Sequence, residues 1–337
     1  MSGSTGASAA TGGPAGTGGS GATGSGSAGS GAGGGGAGGG GAGGGGASIC
    51  PGGPYAANPL PAGQARRVRD GFEYVEGPVW VAEQGALFFS EIHLTAENAP
   101  PLNGPKATIH RFVPPGSFEV FIQDSSSNGL GLDIDGNLIA CTHDTRSISV
   151  FDLGTKARRT VAERYMGKRF NSPNDVVVRG DGNVYFTDPD FQLRGRPELP
   201  MAVYRVSPSG DVSVVDTLDR PNGVALSPDG SVLYAGEFGG PIWRYPLNAD
   251  GSAGSARELV ANLMDADGMG VDCAGNLYVG WEGGVEVIAP SGGRLGTIQG
   301  TGKSSNVAFG GPDRKTLYIT AAGVLYAVEM NIPGYPY

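Results

Sequence analysis

Apolar and polar positions alternate along this chain with a long internal period. A polar residue, usually followed by glycine or another small residue, opens a short apolar run. A Gly- or Asp-containing turn follows, and then a second run rich in Tyr, Val, Leu and Phe. The unit recurs as residues 76–80 with 86–90, 128–132 with 137–141, 174–178 with 183–187, 222–226 with 232–236, 267–271 with 276–280, and 305–309 with 316–320. Successive units start roughly 40 to 50 residues apart, the length of a four-stranded propeller blade. The turns Asp135-Gly136, Asp181-Gly182 and Asp229-Gly230 supply residues that tolerate a positive φ between β-branched and aromatic runs.

Further strand-like runs at 109–113 with 118–122, 147–152, 202–206 with 212–216, and 242–245 fit the outer strands of the blades. No long segment has a 3.6-residue period, so the pattern predicts an all-β, six-bladed propeller with four-stranded blades. A strand at 72–75 is expected to share the last blade with one at 324–330, closing the ring and removing its open edge.

Composition changes the picture at one end. Residues 1–49 are almost entirely Gly, Ala, Ser and Thr, and the first charged residue is Arg66. Such a segment has too little apolar surface to offset its ordering entropy. It is expected to be a disordered spacer, leaving 50–337 as one folded domain. The 23 basic and 32 acidic residues give a formal net charge of −9 with no large basic cluster, which argues against nucleic acid or an anionic membrane as a partner. No apolar run is long enough to span a bilayer, and no secretory signal pattern follows Met1. A spacer of this kind resembles the tethers behind surface anchors. An extracytoplasmic location, with the export signal missing from this chain, is therefore slightly favoured over the cytoplasm. A closed propeller is expected to be monomeric.

In a propeller the innermost strands run along a central channel, so equivalent positions of the repeat converge on its axis. Those positions are Glu76, Asn128, Asn174, Asn222, Asp267 and Ser305, and every one carries a side-chain oxygen. An Asn or Asp before Gly is ordinarily a turn residue. A ring of six in register is different, because polar groups buried in a channel need partners. Hard oxygen donors with two carboxylates suit Ca²⁺, with Mg²⁺, Mn²⁺ or Zn²⁺ as alternatives; the absence of His and Cys at these positions disfavours zinc, and a purely hydrated channel is the alternative to a metal.

The segments EGPVW at 76–80, FNSPNDVVV at 170–178, YFTDP at 185–189, PNGVALSPD at 221–229 and DGM at 267–269, in this order and at blade spacing, resemble the gluconolactonase and regucalcin (senescence marker protein) family. The resemblance covers about residues 70–337. Ala266 stands where that family often has proline. It implies a calcium-dependent lactonase acting on a small lactone or ester, with the metal held by Glu76, Asn174, Asn222 and Asp267. On that reading Asp267 positions or deprotonates the attacking water, and Asn174 is both a ligand and a contact to substrate oxygens. Asn128, His143, Arg169 and Asp188 are candidate substrate contacts at the channel mouth; the alternatives are a satisfied structural histidine for His143 and a turn or network acid for Asp188.

Two alternatives use the same scaffold: a surface-displayed binding module with a structural calcium, and an organophosphate or aryl-ester hydrolase. A serine triad is not supported, since Ser172 precedes Pro173 outside any nucleophile elbow. Of the three cysteines, Cys50 and Cys273 are placed to staple the N-terminal arm in an oxidising compartment, leaving Cys141 a buried thiol; three free thiols are the alternative.

Overall fold

The computed structural model describes residues 50–94 and 104–335; the expected spacer, residues 1–49, lies outside the described residues. Six four-stranded antiparallel sheets, the blades, surround a central channel. Blade 1 comprises Val75–Val81, Ala86–His93, Lys106–Val113 and Ser117–Ile122. Blade 2 comprises Ser127–Leu132, Leu138–Thr142, Ser147–Phe151 and Arg158–Ala162. Blade 3 is built from Val176–Val178, Val184–Asp188, Ala202–Val206 and Val212–Thr217, and blade 4 from Pro221–Leu226, Val232–Glu237, Pro241–Pro246 and Glu258–Asn262. Blade 5 contains Met269–Val271, Leu277–Trp281, Gly284–Ile288 and Arg294–Ile298. No helix among the described residues is long and apolar enough to cross a membrane.

Blade 6 is shared by the two ends of the domain. Its inner strands are Asn306–Gly310, Thr316–Ala321 and Val324–Glu329, and its outermost strand is Arg66–Asp70. The closing strand therefore lies a few residues earlier than the expected 72–75. Gly71, at a φ of 91°, ends it, and residues 71–74 cross from blade 6 to blade 1 with Phe72 N–H bonded to Gly323 O.

The core is distributed between blades, as the repeat requires. Phe88, Ile109, Phe121 and Leu138 fill one inter-blade space, and Phe170, Phe186 and Tyr204 fill another, the last two rings stacked at 5.4 Å. Each cluster packs the face of one sheet on the next, so the blades are held at fixed angles and the innermost strands keep their register around the axis.

A disulfide joins Cys50 to Cys273, 223 residues apart, with a Cα–Cα distance of 5.5 Å. Cys141 is a buried free thiol. The Cys273 turn also receives the C-terminal segment, through Cys273 N–H to Pro333 O at 2.8 Å and Tyr335 N–H to Val271 O at 2.9 Å.

Candidate active site

At five of the six blades a backbone carbonyl near the start of the innermost strand is bonded by the neighbouring blade. Ser90 Oγ of blade 1 donates to Asn128 O (2.8 Å), Gly129 N–H to Asn174 O (2.8 Å) and Thr187 Oγ1 to Asn222 O (2.6 Å). Between blades 5 and 6 Gly268 N–H donates to Ser305 O (2.7 Å), and Ser305 Oγ joins blade 6 to blade 1 at Val75 O, also at 2.7 Å. These bonds fix the backbones, so the side chains of Glu76, Asn128, Asn174, Asn222 and Asp267 converge on one cavity of about 210 Å³. All five are buried.

Ser305 departs from the expected ring. Its hydroxyl is used by Val75 O and Thr320, and it does not line the cavity. The neighbouring residue, Asn306, acts instead, together with Asp175. At this second position of the repeat the other four blades carry Gly77, Gly129, Gly223 and Gly268. A Cβ on Gly268 would overlap the Asn306 side chain, and one on Gly129 would meet the Asp175 carboxylate. Two glycines thus make room for two polar side chains in a tier beneath the ring. Asp175 accepts from Val224 N–H at 3.1 Å, and Asn306 hydrogen-bonds the carboxylates of both Glu76 and Asp175.

Three carboxylates, Glu76, Asp175 and Asp267, now share a buried space. Burial raises the pKa of all three: Asp175 to about 7, Asp267 also to about 7 with the Asp175 charge as the second cause, and Glu76 well above the usual carboxylate range, with Asp267 and Asp175 adding to burial. Tyr74 also lines the cavity, and its phenol is pushed far up by burial and by Glu76 and Asp267, so it stays protonated. Asn222 donates to Asp267, while its Oδ1 is buried without a hydrogen-bond partner.

This donor set fits a hard divalent cation. An orphaned amide oxygen and crowded carboxylates both require a positive partner, and every group offered is an oxygen. Among the described residues no three His, Cys, Asp or Glu side chains are grouped as a metal cage, so amide oxygens would have to complete the coordination.

Three expected substrate contacts lie elsewhere. His143 is fully buried away from the cavity lining, with neither ring nitrogen hydrogen-bonded; burial pushes its pKa down to about 4, so it stays neutral. Arg169, in a two-stranded ribbon of Arg164–Tyr165 and Lys168–Arg169, turns its guanidinium to Thr145 O at 3.0 Å. Asp188 is buried and accepts from the backbone N–H groups of Asn171 and Ser172, both at 2.8 Å, so it holds the segment that delivers Asn174 rather than touching the cavity. The upper wall is made instead by residues outside the repeat, among them Phe191, Arg220, Phe238 and Lys303.

Residues 74–323 match the family described as SMP-30/Gluconolactonase/LRE-like region. The chain belongs to that family. Its relatives include a gluconolactonase of Zymomonas mobilis, 35% identical over 74% of this chain and 76% of the relative. A pentonolactonase of Haloferax volcanii is 30% identical over 74% of this chain and 81% of its own. Among solved structures, a gluconolactonase from Xanthomonas campestris superposes with a TM-score of 0.71 at 30% identity, covering 83% of this chain and 98% of that one. Calcium-binding regucalcin from Agrobacterium tumefaciens shares the fold, with a TM-score of 0.66 at 19% identity over 84% of this chain and all of its own.

Proposed function

We propose that this family member is a lactonase that opens a sugar lactone over the oxygen ring, with a divalent cation, Ca²⁺ foremost, held by Glu76, Asn174, Asn222 and Asp267. The observation that carries the reading is the cavity directly above those four side chains, with the Asn222 Oδ1 left without a partner at its floor. A purely structural calcium would be closed off by protein ligands, whereas here the donors face open space large enough for a substrate. The lactonase names of relatives at 30% identity and above support the substrate class.

The cation, when bound, would polarise the lactone carbonyl and favour charge on its oxygen. The chain's own groups supply the rest. Asp267, raised towards neutrality by burial, takes a proton from water as the water oxygen bonds to the carbonyl carbon. The acyl bond to the ring oxygen then breaks, and Asp267 returns the proton to that oxygen, leaving a hydroxy acid whose carboxyl proton passes to solvent. Asn174, which lines the same cavity, orients the substrate, and Tyr74, kept protonated, is available to donate to a substrate oxygen.

The Cys50–Cys273 disulfide supports an oxidising, extracytoplasmic location for the chain. To test the catalytic assignment, glucono-1,5-lactone hydrolysis is followed by pH-stat for wild type and Asp267→Asn. The substitution is expected to lower kcat by about 10²- to 10⁴-fold in a protein that remains folded, as read by circular dichroism. Retention of full activity by the variant would remove Asp267 from this role.

A further inference from the structure

The cavity over the ring adjoins a second one of about 350 Å³, the two sharing Leu94, Phe191 and Gln192. Charge is sorted along this joined space. The carboxylates among its described lining residues are Glu76 and Asp267, both at the floor, whereas the wall carries the cations Arg220 and Lys303 over the ring and Arg194 in the adjoining space. Arg220 is held in place by two rings, its guanidinium 4.6 Å from the centre of Phe191 and 5.1 Å from that of Phe238. Their acidic partners are exposed carboxylates at the outer limit of ion pairing, Asp190 at 3.7 Å from Arg220 and Glu282 at 4.0 Å from Lys303, and the Lys303 charge also reaches the buried Asp267. Ion pairs of that kind are weak, so both cations remain available to a ligand.

This arrangement is not required for the hydrolysis itself. The carboxylate that lactone opening creates forms at the floor, next to the ring, and not at the wall. In a chain of net charge −9 an anionic substrate would be repelled at long range, and a preset guanidinium fork with a nearby ammonium is the standard means of holding a carboxylate, phosphate or sulfonate. Resting on the lactonase reading above, we propose that Arg220 and Lys303, with Arg194 behind them, select a lactone that bears an anionic group on the carbons remote from its carbonyl.

The test compares kcat/KM for neutral glucono-1,5-lactone, 6-phosphogluconolactone and a glucarolactone, in the full-length protein. The expected result is a kcat/KM at least about tenfold higher for one or both anionic lactones, expressed mainly in KM. That advantage should shrink as salt is raised from about 50 to 500 mM and the charges are screened. The phosphate and carboxylate arms tell which anion fits. In Lys303→Met the anionic-to-neutral ratio, measured on one preparation and so independent of the folded fraction, falls towards one, and Lys303→Arg restores most of it. Equal or lower kcat/KM for both anionic lactones overturns the proposal while leaving the lactonase reading intact, as does a ratio indifferent to Lys303→Met and Arg220→Met. Failure to hydrolyse any lactone removes both.

Discussion

The two halves of the channel are built from the same six strands and have opposite character. At the mouth the strands present Glu76, Asn128, Asn174, Asn222 and Asp267 to a cavity of about 210 Å³. A few residues further along, the same strands present Val79, Leu130, Val176, Val224 and Val307 around a space of about 40 Å³, which Trp80, Phe309 and Tyr335 also line. The lower half largely satisfies itself through these apolar contacts, Asp175 and Asn306 being its polar lining residues. The upper half does not, since its carboxylates crowd one another and an amide oxygen goes unpaired. Side chains one register step apart thus separate the part of the channel that stabilises the ring from the part that needs a ligand.

That division is testable by perturbing each half. The largest effect on stability is expected from Phe309→Ala in the lower half, where the ring packs edge-on to Tyr278 at 5.0 Å and against the C-terminal segment at Gly334. The lost burial and cavity cost about 3–5 kcal/mol, read as a lower denaturation midpoint, with kcat of the folded fraction within about twofold. A comparable fall in kcat would mean that the halves are not independent. Next, Cys50→Ser removes the only covalent tie between the N-terminal arm and blade 5 among the described residues and costs about 2–4 kcal/mol. Activity at low temperature should be unchanged.

The smallest effect is the most informative about the mouth. Without a cation, the folded-state pKa values of Glu76, Asp175 and Asp267 lie above their unfolded values. The native state then binds more protons than the unfolded chain, and these groups cost stability as pH rises from about 4 to about 7. A cation needs the ionised carboxylates, so its stabilisation grows over the same window. The melting-temperature gain on adding calcium should be larger at pH 7.5 than at pH 5. His143, with its lowered pKa of about 4, acts in the opposite direction as pH falls through the usual His range, but it does so with and without calcium and cancels in the difference.

Much of this was legible in the amino-acid sequence because the repeat imposes it. Inner strands recur at blade spacing, three of their hairpins with Asp-Gly turns, so their positions, and the five ring residues at their starts, follow from register alone. Arg66–Asp70 was not legible as a strand: four of its five residues are charged, and only Val68 packs against the core. Asp175 and Asn306 do carry a signal, namely a polar residue where four blades have glycine. For His143, Arg169 and Asp188 proximity to the repeat fixes backbone position but not side-chain direction. Arg220 and Lys303 lie in connections that the repeat does not constrain, so only the three-dimensional structure brings them over the ring.

The central claim, that the mouth is completed by a divalent cation and hydrolyses a lactone, is tested most directly by turnover after chelation. Glucono-1,5-lactone hydrolysis is measured by pH-stat on the protein as purified, after EDTA treatment and dialysis, and after calcium is restored. The account predicts activity that disappears with the cation and returns with it, while the propeller remains folded throughout. Full activity in the chelated protein would contradict it.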